Sequence, residues 1–116
     1  MARSWFGDPA DEQLEATVCP ITQTQDIFAG KWKIIILWNL STQTRRFNEL
    51  QRLLPNISKG ILTRQLRELE EDQMVHREVY KEVPPKVEYS LTPLGESFIP
   101  ILQSMGEWSK KNLVSK

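Results

Sequence analysis

The apolar positions of this chain follow a helical period over most of its length, switch once to alternation, and then return to the helical period. The stretch "CPITQTQDIFAGKWKIIILWNLS" reads as two helices, with Pro20 suited to a helix start and Gly30 to a stop just after Ala29. Trp32 to Leu40 is apolar on nearly every side, which predicts a central core helix surrounded by protein. Its β-branched run, Ile34 to Ile36, also permits a buried strand, but its length and the flanking turn signals favour a helix. "RRFNELQRLLP" predicts a third helix with Phe47, Leu50, Leu53 and Leu54 on one face, closed by Pro55. Ser58 is a good N-cap for the next helix, "KGILTRQLRELEED", in which Leu62, Leu66 and Leu69 stand at the i, i+4, i+7 spacing of one face.

The period then changes from 3.6 to 2. "VHREVY" sets Val75, Arg77 and Val79 on one side, and "KVEYSL" sets Val87, Tyr89 and Leu91 on one side. Together they predict an antiparallel hairpin across a loop of about six residues. Thr92-Pro93 caps and opens a final helix whose apolar stripe is Leu94, Phe98, Ile101, Leu102, Met105 and Trp108. That stripe is long for so small a domain, so part of it is expected to find its partner on another chain. At the other end, Asp8-Pro9 is placed to open a short first helix. Two helices joined by the short Leu54–Ser58 turn and followed directly by a hairpin make a winged helix-turn-helix. The expected fold is therefore mainly α with a small β hairpin. Residues 1–18 form an N-terminal extension, 19–108 the winged domain with the start of the last helix, and 109–116 the helix end and tail.

Composition narrows the function. The 116 residues are 40% apolar and 26% charged, ordinary for one globular domain. No apolar run approaches the roughly 20 residues needed to span a bilayer, and the N-terminus has no apolar signal-peptide core, so no membrane partner is expected and the chain reads as cytoplasmic. A single cysteine, Cys19, excludes an intramolecular disulfide. His76 is the only histidine, and no Cys/His cluster, glycine-rich loop or nucleophile–base pair is visible, so neither metal, cofactor nor enzyme chemistry is expected. Glu70 and Glu71 are adjacent and diverge on a helix, which makes them a solvated end rather than a catalytic pair.

The net charge of zero conceals a sorted distribution. Between Thr44 and Arg67, six cations (Arg45, Arg46, Arg52, Lys59, Arg64, Arg67) face Glu49 alone, a net charge of +5. The next six residues, "ELEEDQ", hold four acids and no base. On the fourth helix, Gly60, Thr63, Arg64 and Arg67 lie roughly opposite the leucines, with Lys59 in the exposed first turn. Arg offers bidentate contacts to guanine, Thr reaches a base edge or a thymine methyl, and Lys neutralises phosphate. Gly60 would let the backbone come close to DNA, and a helix N-terminus favours phosphate. The competing reading is an ordinary solvated face; the absence of acids from the first two turns weighs against it. Arg45 and Arg46 are placed to clamp phosphate at the rim. Lys81 and Lys86 bracket a hairpin tip stiffened by Pro84 and Pro85. The hairpin as a whole carries no net charge, so it is expected to be the weaker half of a DNA grip.

Two further sites are candidates. Cys19 precedes Pro20 at a helix start, where the helix dipole lowers thiol pKa; a sensor thiol and a buried, inert one are the two readings. Phe28, Trp32, Trp38 and Trp108 are candidates to line a small-molecule pocket, with ordinary core packing as the alternative.

These residues carry a resemblance. "CP" at 19–20, "GKW" at 30–32, "RRFNEL" at 45–50, "ISKGILTRQLRELEED" at 57–72 and "REVYKEVPPKVEYSLTPLG" at 77–95 resemble the HxlR-type transcriptional regulators, winged-helix proteins related to the MarR type. The resemblance implies a bacterial or archaeal homodimer joined by its terminal helices, with residues 1–18 contributing a helix to the dimer interface. It places Ser58–Asp72 in the major groove and Val75–Leu91 as the wing, and it makes the cysteine at position 19 a sensor of oxidants or electrophiles in some members. The implied function is a repressor acting on a pseudo-palindrome in double-stranded DNA, nucleoid-associated in the cell and responsive to an oxidant or small effector. The alternative is a winged-helix module that binds protein rather than DNA. The chain departs from the family pattern at Gln73, where a left-handed glycine is usual, at Thr42-Gln43-Thr44, which replaces a Gly-Pro-like turn, and at Gly60, which is often larger and polar.

Overall fold

The computed structural model describes residues 19–113; the helix expected after Asp8 lies outside the described residues. The elements in chain order are α1 (Pro20–Ile27), α2 (Lys33–Leu40), β1 (Arg45–Arg46), α3 (Phe47–Leu53), α4 (Lys59–Glu71), β2 (Val75–Tyr80), β3 (Lys86–Leu91) and α5 (Pro93–Asn112). Cys19, Ser58 and Thr92 are the N-caps of α1, α4 and α5. The Ser58 Oγ accepts from the Ile61 N–H at 3.1 Å and the Thr92 Oγ1 from the Gly95 N–H at 2.9 Å, each satisfying one orphan donor of a first turn. Pro20 and Pro93 stand at first helical positions, where the missing N–H costs nothing. Helix α1 ends two residues earlier than the sequence suggests, because Gly30, at φ +113°, belongs to the following turn.

The sheet has three antiparallel strands in the order β1-β3-β2. Strands β2 and β3 pair from Val75–Leu91 to Tyr80–Lys86, and the two residues of β1 pair Arg45 with Tyr89 and Arg46 with Glu88. The expected hairpin is thus present, with a third strand the period-2 pattern could not disclose. Arg45 and Arg46 are extended and belong to this strand rather than to the helix that starts at Phe47. The alternation on β2 is only partly used: Val75 is buried, whereas Val79 is exposed.

The core draws on the helices and on the two long strands. Ile36, Leu37 and Leu40 of α2 meet Leu50 and Leu54, the α4 stripe of Leu62, Leu66 and Leu69, and Met74, Val75, Tyr89 and Leu102. Two expectations need correction. Leu53 is exposed, because Phe47, Leu50 and Leu54 form the side of the helix that packs on the core and Leu53 points away from it. Helix α2 is not enclosed on all sides: Ile35 and Trp38 are 39% and 47% exposed, on the side that faces a groove shared with α5.

Helix α4 ends in a Schellman motif. The Met74 N–H donates to the Leu69 carbonyl at 2.9 Å and the Gln73 N–H to the Glu70 carbonyl at 3.0 Å. This closure needs a left-handed residue, and Gln73 supplies it at φ +63°. The turn expected from the family is therefore kept with a residue that resists it. It leads straight to the wing, where Thr92 donates to the Gln73 carbonyl at 2.6 Å and a Cβ on Gly95 would collide with the Met74 carbonyl.

Candidate nucleic-acid interface

Helix α4 is anchored from behind. Lys33, buried at the start of α2, places its Nζ 2.7 Å from Glu68 Oε1 and donates to the Ile27 carbonyl at 3.3 Å. One ammonium thus ties the end of α1 and the start of α2 to α4. Hydrogen bonding and attraction from Lys33 hold the Glu68 carboxyl below the usual glutamate range. Gly30 contributes on the same side: a Cβ there would strike the Gln65 side-chain amide, so the glycine lets the turn lie against α4. Gln65 is itself buried.

The front of α4 is open. Ser58, Lys59, Gly60, Thr63, Arg64 and Arg67 are all exposed, on the side away from the buried Leu62, Leu66 and Leu69. Nothing lies within 4 Å of where a Cβ on Gly60 would stand, so the first turn presents bare backbone. No acid occurs before Glu68, leaving a basic surface over the first two and a half turns.

The flanking cations are more committed. Arg45 donates from Nε to the Asn39 carbonyl at 2.8 Å and from Nη2 to Thr42 Oγ1 at 3.4 Å, closing the turn that lacks the family's Gly-Pro. Arg46 has an exposed side chain, and its backbone N–H donates to Glu49 Oε1 at 2.8 Å. At the wing, Lys81 is exposed, whereas Lys86 is half-buried, 4.5 Å over the Tyr80 ring and 3.8 Å from Glu88 Oε2. Glu88 in turn is the main cause of a raised Tyr80 pKa.

A polar cleft that the sequence pattern does not predict lies between α4 and the wing. Thr63, Arg67 and Glu70 of α4 line it with Arg77 of β2 and Tyr89 of β3. Arg77 Nε lies 3.4 Å from Glu70 Oε1. The only advance signal was Arg77 and Tyr89 sharing the inward side of a hairpin.

Cys19 is a free, half-buried thiol. It closes no side-chain capping bond, yet the backbone N–H groups of Thr22 and then Ile21 hold its pKa below the ordinary thiol value. The four aromatics do not gather around one cavity. Phe28 is buried and stacks on Phe98 at 4.3 Å between centroids, in the wall of an α1–α5 groove of about 560 Å³. Trp38 lines the α2–α5 groove of about 600 Å³, and Trp108 lies further along α5 beside Leu113. Trp32 is half-buried with Lys31 5.0 Å over its ring. Among the described residues, no helix is long and apolar enough to cross a membrane, and no group of three His, Cys, Asp or Glu side chains is arranged to hold a metal.

A capped basic helix, a short helix–helix turn in front of it and a three-stranded wing behind it define a winged helix-turn-helix domain. The model of the HxlR-like helix-turn-helix family matches residues 27–116, and the chain belongs to that family. It is a transcriptional regulator and not an enzyme. Relatives include the HTH-type transcriptional regulator YdeP of Bacillus subtilis, 53% identical over 80% of this chain and 73% of its own length. A regulator from the archaeon Methanothermobacter thermautotrophicus is 46% identical over 80% and 71%. Among solved structures, the redox regulator HypR in its reduced form superposes with a TM-score of 0.78 at 49% identity, covering 82% of this chain and 94% of that one. The reduced form of YodB from B. subtilis gives 0.71 at 31% identity, covering 83% and 95%.

Proposed function

We propose that this protein is a homodimeric, sequence-specific repressor that inserts α4 into the major groove of double-stranded DNA. The observation that carries this reading is the exposed, acid-free face of Lys59, Gly60, Thr63, Arg64 and Arg67, held forward by the Lys33–Glu68 anchor. Lys59 and the α4 N-terminus take phosphate; Arg64 and Thr63 read bases. Dimerisation is supported by the apolar residues that one chain leaves uncovered on the terminal helices. Ile101, Met105 and Trp108 of α5 are about half exposed, and Met105 shares a groove with Trp38 and Ile35 of α2. The dimer reads a pseudo-palindrome with half-sites about one helical turn apart, and occupancy excludes polymerase from the promoter. Its place is then the cytoplasm, on the nucleoid. DNase footprinting on the DNA upstream of its own gene tests this: two protected half-sites about a turn apart are expected, and uniform or absent protection leaves the protein-binding module as the better reading.

A thiol switch is a second reading, favoured by the free Cys19 at the α1 N-terminus, where backbone N–H groups stabilise the thiolate. Its structural relatives include HypR in reduced and oxidised forms and YodB after diamide treatment. Helix α1 faces α5 across a groove, and Phe28 at its C-cap stacks on Phe98, which offers a route from a modification at Cys19 to α5. A Cys19→Ser protein that still releases DNA under diamide would exclude it.

A further inference from the structure

The cleft between α4 and the wing remains unexplained by base reading. We infer that it is a phosphate-binding notch for the DNA backbone, with Arg77 and Tyr89 as contact residues beside Arg67. The inference rests on the DNA-binding reading above and adds residues that reading does not contain.

Thr63, Arg67 and Glu70 recur at i, i+4 and i+7, so one side of α4 forms a wall of the cleft. Arg77 and Tyr89 are cross-strand partners, with neighbouring side chains on one face of the sheet, and form the opposite wall. The open cleft has a volume of about 280 Å³, room for roughly nine waters at about 30 Å³ each. Two guanidiniums against one carboxylate leave a net charge of +1.

Tyr89 supplies the second observation. The residue is only 8% exposed, but its hydroxyl is reached by solvent and forms no hydrogen bond among the described residues, so the O–H is open to the cleft. The phenol's pKa is raised by burial, while Arg77 and Arg67 pull against that rise and Glu70 adds to it, so all three charges act on the same hydroxyl. Glu70 engages Arg77 through Nε, which leaves the terminal guanidinium nitrogens for another acceptor. An oxyanion is the ligand that suits a neutral O–H donor between two guanidiniums.

Docking geometry says which oxyanion. With α4 in the major groove and the wing flanking it, the sugar–phosphate ridge that borders the groove passes beside the junction of helix and wing. The notch lies at that junction. A backbone phosphate there is held by Arg77, Arg67 and the Tyr89 hydroxyl, irrespective of sequence.

The test uses fluorescence anisotropy with two labelled duplexes of unrelated sequence, across a salt series. Arg77→Ala is expected to weaken both duplexes about equally, by roughly tenfold, and to reduce the salt slope by about one per subunit. Arg77→Lys should restore most of the slope, and Tyr89→Phe should weaken binding a few-fold with the slope unchanged. If Arg64→Ala weakens binding while Arg77→Ala and Tyr89→Phe match the unaltered protein, the notch is refuted and the DNA reading stands. A loss in Arg77→Ala that tracks a lowered Tm and is not rescued by Arg77→Lys assigns Arg77 a structural role and also refutes the notch. If the unaltered protein binds neither duplex, the DNA reading falls and the notch with it.

Discussion

Replacing Gln73 by glycine should stabilise this protein, although glycine is usually a destabilising choice. Gln73 is the left-handed residue of the Schellman motif that closes α4, at φ +63°, and its side chain is exposed. A Cβ in this conformation costs roughly 1–2 kcal/mol. Glycine removes that cost and gives back about 0.4–1 kcal/mol through the greater freedom of the unfolded chain. The net gain is about 0.5–1 kcal/mol, worth roughly 2–4 °C in Tm for a domain of this size. Thermal unfolding followed by circular dichroism at fixed protein concentration measures it, the concentration being held because Tm depends on it wherever a protein self-associates. Gln73→Ala is the control: it keeps the Cβ, so no comparable rise is expected. A Tm that falls in Gln73→Gly, or rises as much in Gln73→Ala, would refute the strain argument.

Gly60→Ala separates folding from function: the site has open space for a Cβ, so helix propensity should raise stability by up to about 1 kcal/mol, while duplex affinity should fall if backbone approaches DNA there. Glu68→Gln tests the Lys33 anchor through pH. The Glu68 pKa is lowered in the fold, so its contribution is full above the unfolded value, about 4.3, and is lost as pH falls through the folded one. The acid limb of a urea-denaturation series should therefore flatten in the variant, and identical acid limbs would contradict the pairing. The Cys19 thiol should be alkylated by iodoacetamide faster at neutral pH in folded than in urea-unfolded protein, with a rate–pH midpoint below the ordinary thiol value.

Much of this was legible in the sequence because the signals are local. Ser58 and Thr92 are short polar residues ahead of apolar-periodic runs, and both cap helices as their chemistry dictates. The change of period at Val75 marked the hairpin. Strand β1 escaped notice because two residues cannot show alternation, and its partner β3 lies more than 40 positions further along the chain. The cleft is hidden because it joins α4 to both strands of the wing: Arg77 is polar in an apolar alternation, and its role depends on where α4 ends. Lys33 reads as a surface charge until α2 is docked against Glu68 of α4. The apolar run of α2 was legible as core, but a pattern carries no record of which covering protein comes from the same chain. Ile35 and Trp38 therefore face an open groove rather than an enclosed interior.

The central claim is that α4 grips DNA through its acid-free face. Anisotropy of a labelled duplex across a salt series, comparing the unaltered protein with Lys59→Ala/Arg64→Ala/Arg67→Ala, tests it most directly. Each lost phosphate contact lowers the slope of log affinity against log salt by about 0.9. A steep slope is expected for the unaltered protein, and for the triple variant, which loses the phosphate contacts of Lys59 and Arg67, a slope reduced by up to about 1.8 per subunit, with affinity lower at every salt concentration. Equal affinities and equal slopes in the two proteins would contradict it.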